Sequence, residues 1–139
     1  MVYSIYAGID SFADSGTFQV VAGTGKNEIK ELLPVLCDEL INSPKNLSTE
    51  EIEKSKAQLK ASTLMSIEST RTNAVVGAYQ LIRYGKLIDI KERIEKINNV
   101  TKNSIEKVAE KILSSNPTVA SIGPVANLES IDKIKTRFN

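Results

Sequence analysis

The side chains able to do chemistry in this chain are few, and one type is missing. There is no histidine, there is one cysteine, Cys37, and there is no tryptophan. A Ser-His-Asp or Cys-His site needs an imidazole to take the nucleophile's proton, and a catalytic zinc is usually held by at least one imidazole. Those hydrolytic mechanisms are therefore excluded for the isolated chain. Carboxylate-only chemistry, either a hard-cation site or an acid/base pair, survives that argument. Its candidates are Glu50, Glu51 and Glu53, and Glu68 beside Arg71. Each also has a structural reading. The first three stand at a helix start, where negative charge complements the dipole, and Glu68 with Arg71 reads as a surface ion pair worth little in water. Gly23-Thr24-Gly25-Lys26 superficially resembles a phosphate loop but lacks the first glycine at the required spacing and the Ser/Thr after the lysine, so a strand-to-helix turn explains it better. Cys37, between Leu36 and Asp38, reads as a core or half-buried thiol. Tyr3, on a strand, reads as packing from its type alone.

The elements that must position these residues begin with a hairpin. Val2–Ala7 and Phe18–Ala22 are β-branched and aromatic runs separated by the turn-forming Ser11-Phe12-Ala13-Asp14-Ser15-Gly16. The chain therefore looks like a fragment that opens on a strand. One edge of that strand calls for cover from another segment or chain, and self-association through residues 2 to 10 is the expectation. Mostly helical sequence follows. Ile29, Leu32, Leu33, Leu36 and Leu40 share one helical face. Pro34 means that this helix begins near Leu33 or kinks, and Ser43-Pro44-Lys45-Asn46 reads as a loop. Ser48-Thr49-Glu50-Glu51 is a capping-box signature that predicts a long helix, continuing or breaking around Glu68-Ser69-Thr70 and ending at Gly85. Asp89 and Thr101 cap two more helices. Thr118–Ile122 then reads as a strand closing at Gly123-Pro124, with a last helix through Leu128, Ile131 and Ile134. The order is strand, strand, four helices, strand, helix, which points to the α+β class: a mainly antiparallel sheet with helices packed on one face. Residues 1–139 are expected to be a single partial domain.

The formal charge of +1 gives no reason to expect nucleic acid or an anionic membrane as partner. No apolar run approaches the roughly 20 residues that span a bilayer, and the start lacks a signal-peptide pattern, so a soluble chain is expected, a cytoplasmic location is favoured and the compartment stays open. Lys91 to Lys111 alternate in sign with glutamates as a solvated mixed-charge face.

Four stretches in order, VYSIYAGIDSFADSGTFQVVAGT, STEEIEKSKAQLKASTLMSIEST with AYQLIRYGK, INNVTKNSIEKVAEKIL and TVASIGPV, resemble the C-terminal half of the second domain of the pitrilysin-type zinc metallopeptidases, in particular the mitochondrial-processing-peptidase-like branch. The resemblance covers nearly the whole chain. It implies two similar domains closing over a peptide chamber, with zinc and the general base on an H-x-x-E-H helix of the first domain. This chain has no histidine for that motif, so it would be non-catalytic, hold no metal or other cofactor, and rely on zinc in an N-terminal domain or partner subunit. The resemblance further implies a second-domain Arg and, after six intervening residues, a Tyr that hold the substrate backbone near the metal. Tyr3, in Val2-Tyr3-Ser4, falls on that Tyr and would be a substrate-binding residue; the position of the Arg falls ahead of Met1. Asn73 stands where relatives often carry Arg. Two readings follow: a chamber-forming, non-catalytic piece of a zinc endopeptidase that meets peptide substrate once joined to the zinc-bearing part, or a scaffold that docks a partner, a second copy included, through its first strand.

Overall fold

A computed structural model describes residues 2–138. Its α+β content is one antiparallel hairpin and six helices: β1 (Val2–Ser11), β2 (Gly16–Thr24), α1 (Ile29–Asn46), α2 (Thr49–Ser66), α3 (Thr70–Tyr84), α4 (Ile90–Asn98), α5 (Lys102–Leu113) and α6 (Ile131–Phe138). The chain divides into two compact units, one of residues 1–46 with 106–139, the other of residues 47–105.

In the first unit the hairpin forms where its residue types predict. The Phe12 N–H donates to the Ser15 carbonyl at 2.9 Å to close the turn, and Gln19 donates to the Asp10 carboxylate across the strands at 3.1 Å. The register sets Ile5 opposite Ala22, Ala7 opposite Val20 and Ile9 opposite Phe18. Because side chains alternate along a strand, these six share one apolar face. The strands are longer than the β-branched runs alone, since backbone pairing extends to the turn.

α1 packs on α6. Among the described residues of this unit, Cys37 and Ile134, both 2 % exposed, are the buried apolar ones. Glu129 and Arg137 tie α6 to the segment before it by paired hydrogen bonds, 3.1 Å from Nε and 3.0 Å from Nη2. α1 departs from expectation at its C-terminal end. It starts at Ile29, carries Pro34 inside, and runs through Pro44 to Asn46, where a loop was expected. A proline's fixed φ is helical, and what it removes is one N–H bond to the carbonyl four residues back, so a helix with other support can carry it. The expected strand at Thr118–Ile122 is absent: these residues have no strand structure, and Ile122 is fully exposed. A strand needs a neighbour to take its hydrogen bonds, and the sheet among the described residues holds only β1 and β2.

The second unit follows its capping signals closely. Ser48 Oγ accepts from the Glu51 N–H at 3.2 Å while Glu51 Oε2 accepts from the Ser48 N–H at 2.8 Å, so α2 starts on a complete capping box. The long helix breaks after Ser66. Ser69 caps α3 by accepting from the Thr72 N–H, and the Asn73 amide donates back to the Ile67 carbonyl at 2.5 Å. Thus the Asn73 side chain closes the end of α2. Gly85, at φ 68°, ends α3 in the left-handed conformation that glycine adopts without a Cβ penalty. Asp89 caps α4, and Thr101 with Ser104 exchange hydrogen bonds at the start of α5. α2 packs on α4, where Lys56 and Lys60 donate to the backbone and side-chain carbonyls of Asn98 at 3.1 and 3.0 Å. Two cations at the C-terminal end of α4 complement its dipole.

The capping box gives a test of pH sign. Hydrogen bonds from the Ser48 backbone and hydroxyl hold the Glu51 carboxyl below its ordinary 4.5, and Arg137 does the same for Glu129. A carboxyl with a depressed folded-state pKa stabilises the fold above its ordinary value and loses that contribution as pH falls through the lowered one. Thermal melts are therefore expected to fall as pH drops below about 4.5. Ser48→Ala should cost about 1 kcal/mol at neutral pH and flatten the acid slope; an unchanged slope would remove Glu51 from the account.

Candidate functional site

Tyr3 stands at a break in the ladder. Val2 pairs with Thr24 and Ser4 with Gly23, so two steps on β1 oppose one on β2 and Tyr3 is the extra residue of a β-bulge. Bulges twist a strand and re-aim a side chain, and they recur beside active sites. Tyr3 is 85 % exposed, which corrects a packing role. Its hydroxyl reaches toward the turn after β2: a Cβ built on Gly25 would stand 3.2 Å from the Tyr3 oxygen and would overlap the Glu28 carboxylate. Gly25 is therefore bordered by a phenol that can donate and a carboxylate that can accept. The hairpin, its bulge and the turn into α1 bring this pair together.

The remaining candidates resolve into structural roles. Glu51 belongs to the capping box and Glu53 pairs with Lys56 at 2.9 Å. Glu68 and Arg71 form no ion pair among the described residues. Gly23-Thr24-Gly25-Lys26 carries the end of β2 into the turn before α1, the strand-to-helix connection that its composition suggested. Cys37 is buried, and burial is the main cause that pushes its thiol above the ordinary value, against the opposing pull of Arg137 and with the aid of Glu129 and Asp38. Such a thiol is a poor nucleophile. No cluster of three or more histidine, cysteine or acidic residues that could hold a metal occurs among the described residues. No helix among them is long and apolar enough to cross a membrane.

The resemblance singles out Tyr3, and sequence reasoning did not single out Glu28. Its one trace in the sequence is the second glycine of Gly23-Thr24-Gly25, a position without a side chain three residues ahead of a carboxylate at a helix start, but nothing in the sequence says that a bulge turns Tyr3 toward it.

Around this site the hairpin is open. Ile5, Ile9 and Phe18 of the apolar face are exposed by 56 %, 76 % and 38 %, and Tyr6 and Val21 on the opposite face are exposed too. Adding a Cβ at Gly8 would bring it within 2.8 Å of the Tyr6 ring, so that ring lies across the glycine.

Comparison with known proteins matches residues 1–59 to the family described as Peptidase M16 inactive domain. Over 131 residues the chain is 28% identical to the uncharacterized zinc protease YmxG of Bacillus subtilis (strain 168), covering 94% of this chain and 32% of that protein. Over 130 residues it is 31% identical to mitochondrial-processing peptidase subunit alpha-2 of Dictyostelium discoideum, covering 92% of this chain and 28% of that one. It is 26% identical over 130 residues to mitochondrial-processing peptidase subunit alpha of Caenorhabditis elegans, covering 94% and 25%. The chain thus spans a third or less of the length of these relatives.

Proposed function

We propose, from the premise that this chain belongs to the M16 peptidase family within its inactive C-terminal domain, that it is a wall of a peptide chamber, completed by a zinc-bearing N-terminal domain or subunit of the same peptidase. The observation that carries this reading is the open hairpin: an apolar sheet face and a bulged, solvent-facing Tyr3 on the same strand. A chamber wall must present what a free-standing domain would cover. The surface area agrees. Two separate compact globules of the sizes of the two units would together expose about 8,600 Å², whereas the chain exposes 10,530 Å². The surplus, about 2,000 Å², exceeds the roughly 800 Å² that each partner gives to a standard interface. In the assembled enzyme the Tyr3 hydroxyl would donate to a substrate carbonyl, or to the oxyanion that develops on it, while zinc in the other part activates water. This chain's contribution is to bind and orient the peptide and to keep water out.

The test is association. The chain mixed with a separately produced first domain of a relative is expected to co-elute with it in gel filtration, and independent elution at micromolar concentrations would argue against the reading.

One observation favours a second reading, a scaffold that docks a partner by strand addition. Among the described residues β1 pairs with a strand on one side only, β2, and from Val2 to Asp10 it carries no proline and one charge, Asp10; such an edge is a template for another strand. A second copy can serve as that partner: sedimentation of the chain alone should show self-association that Ile5→Pro on β1 abolishes. A strictly monomeric profile at high concentration would sink this reading.

A further inference from the structure

Two side chains converge on Gly25 from different elements. The Tyr3 hydroxyl comes from the bulge in β1, and the Glu28 carboxylate from the residue just ahead of α1. Glu28 is held in place by its backbone, whose carbonyl accepts from the Glu31 N–H at 3.0 Å. Its carboxylate makes no hydrogen bond or ion pair among the described residues, although Lys26 and Lys30 flank it in sequence. The carboxylate lies where a side chain at residue 25 would begin, so glycine is the residue type that lets it stand beside the phenol.

We infer that Tyr3 and Glu28 together form a main-chain clamp for one residue of an extended peptide. In an extended chain the N–H and C=O of one residue point to the same side, which is how paired residues of an antiparallel ladder exchange two hydrogen bonds. The Tyr3 hydroxyl donates to that C=O, and the Glu28 carboxylate accepts from that N–H. The absent side chain at Gly25 makes the place that the Glu28 carboxylate fills, so that carboxylate and phenol stand near each other. The clamp reads no side chain, so it takes peptides of any sequence but rejects a residue without an N–H. Glu28 is thereby a substrate-positioning residue. The inference rests on Tyr3 being a substrate contact and adds to it the acceptor and the dependence on the amide proton.

The experiment uses the full chain and two probes, the blocked hexapeptide acetyl-Ser-Val-Ala-Val-Ser-Ala-amide and the same peptide with every amide N-methylated, followed in ¹H–¹⁵N spectra. Expected are shifts at Tyr3, Gly25 and Glu28 with the first peptide and a loss of about tenfold in affinity with the second. Glu28→Ala should weaken the first peptide by about the same factor and leave the second unchanged, and Glu28→Gln, which keeps an acceptor, should recover part of the loss. Gly25→Ala, whose methyl would displace the Glu28 carboxylate, should lower binding without disturbing the dispersed hairpin resonances that report folding. Equal binding of both peptides, or no effect of Glu28→Ala while Tyr3→Phe still weakens binding, overturns the clamp and leaves Tyr3 as a contact. No effect of Tyr3→Phe overturns the reading beneath it. No shift with either peptide overturns the clamp outright.

Discussion

Replacing Tyr3 by phenylalanine is expected to slow peptide cleavage by the assembled peptidase at least about a hundredfold, mostly in kcat, because removal of one preorganised donor from a developing oxyanion typically costs that much. The substitution removes one oxygen from a side chain that is 85 % exposed in this chain, so the fold should be untouched and melting of the isolated chain unchanged. The readout is steady-state kinetics on a quenched-fluorescent peptide with variant and wild-type chain matched for association with the zinc-bearing part. A change below about threefold, less than one ordinary hydrogen bond is worth, would place Tyr3 outside the reaction and return it to the chamber surface.

The second large effect concerns stability. Among the described residues Ile134 and Cys37 are the two apolar side chains buried to 2 %, and α1 and α6 pack together. Ile134→Ala should therefore destabilise the first unit by about 2–5 kcal/mol through lost burial and the cavity left behind. A core this small has little to compensate with, so α6 should come away from α1. Cys37 then supplies an internal reporter: buried and pushed up in pKa, it should react slowly with a thiol reagent in the wild type and rapidly in the variant. Urea unfolding gives the magnitude and thiol kinetics give the location. A loss under 1 kcal/mol with Cys37 still protected would mean that the unit is held together elsewhere.

What the sequence revealed was local chemistry. Ser48 with Glu51, Ser69, Gly85, Asp89 and Thr101 mark helix ends because a hydroxyl, a carboxylate or a missing Cβ acts within four residues of where it stands. The hairpin was legible for the same reason, its turn and alternation being short-range. The prolines misled at Ser43–Asn46, since Pro44 forfeits one hydrogen bond in a helix that its neighbours sustain. Thr118–Ile122 misled in the opposite way: strand-forming residue types do not make a strand without a neighbour to pair with. At the site, the resemblance pointed to Tyr3, but its direction depends on a bulge that comes from the pairing of β1 with β2 and has no sequence mark. Glu28 was invisible because its relation to Tyr3 runs across the hairpin and through a glycine, not along the chain.

The central claim is that this chain completes a peptidase it cannot be by itself. The most direct measurement is cleavage of a quenched-fluorescent peptide by the chain alone, by a separately produced His-bearing first domain of a relative alone, and by the mixture, each with and without a zinc chelator. The account predicts activity in the mixture only, abolished by the chelator and restored by added zinc. Silence in the mixture while the two parts co-elute would contradict it in favour of a scaffold, and chelator-insensitive cleavage by this chain alone would contradict it altogether.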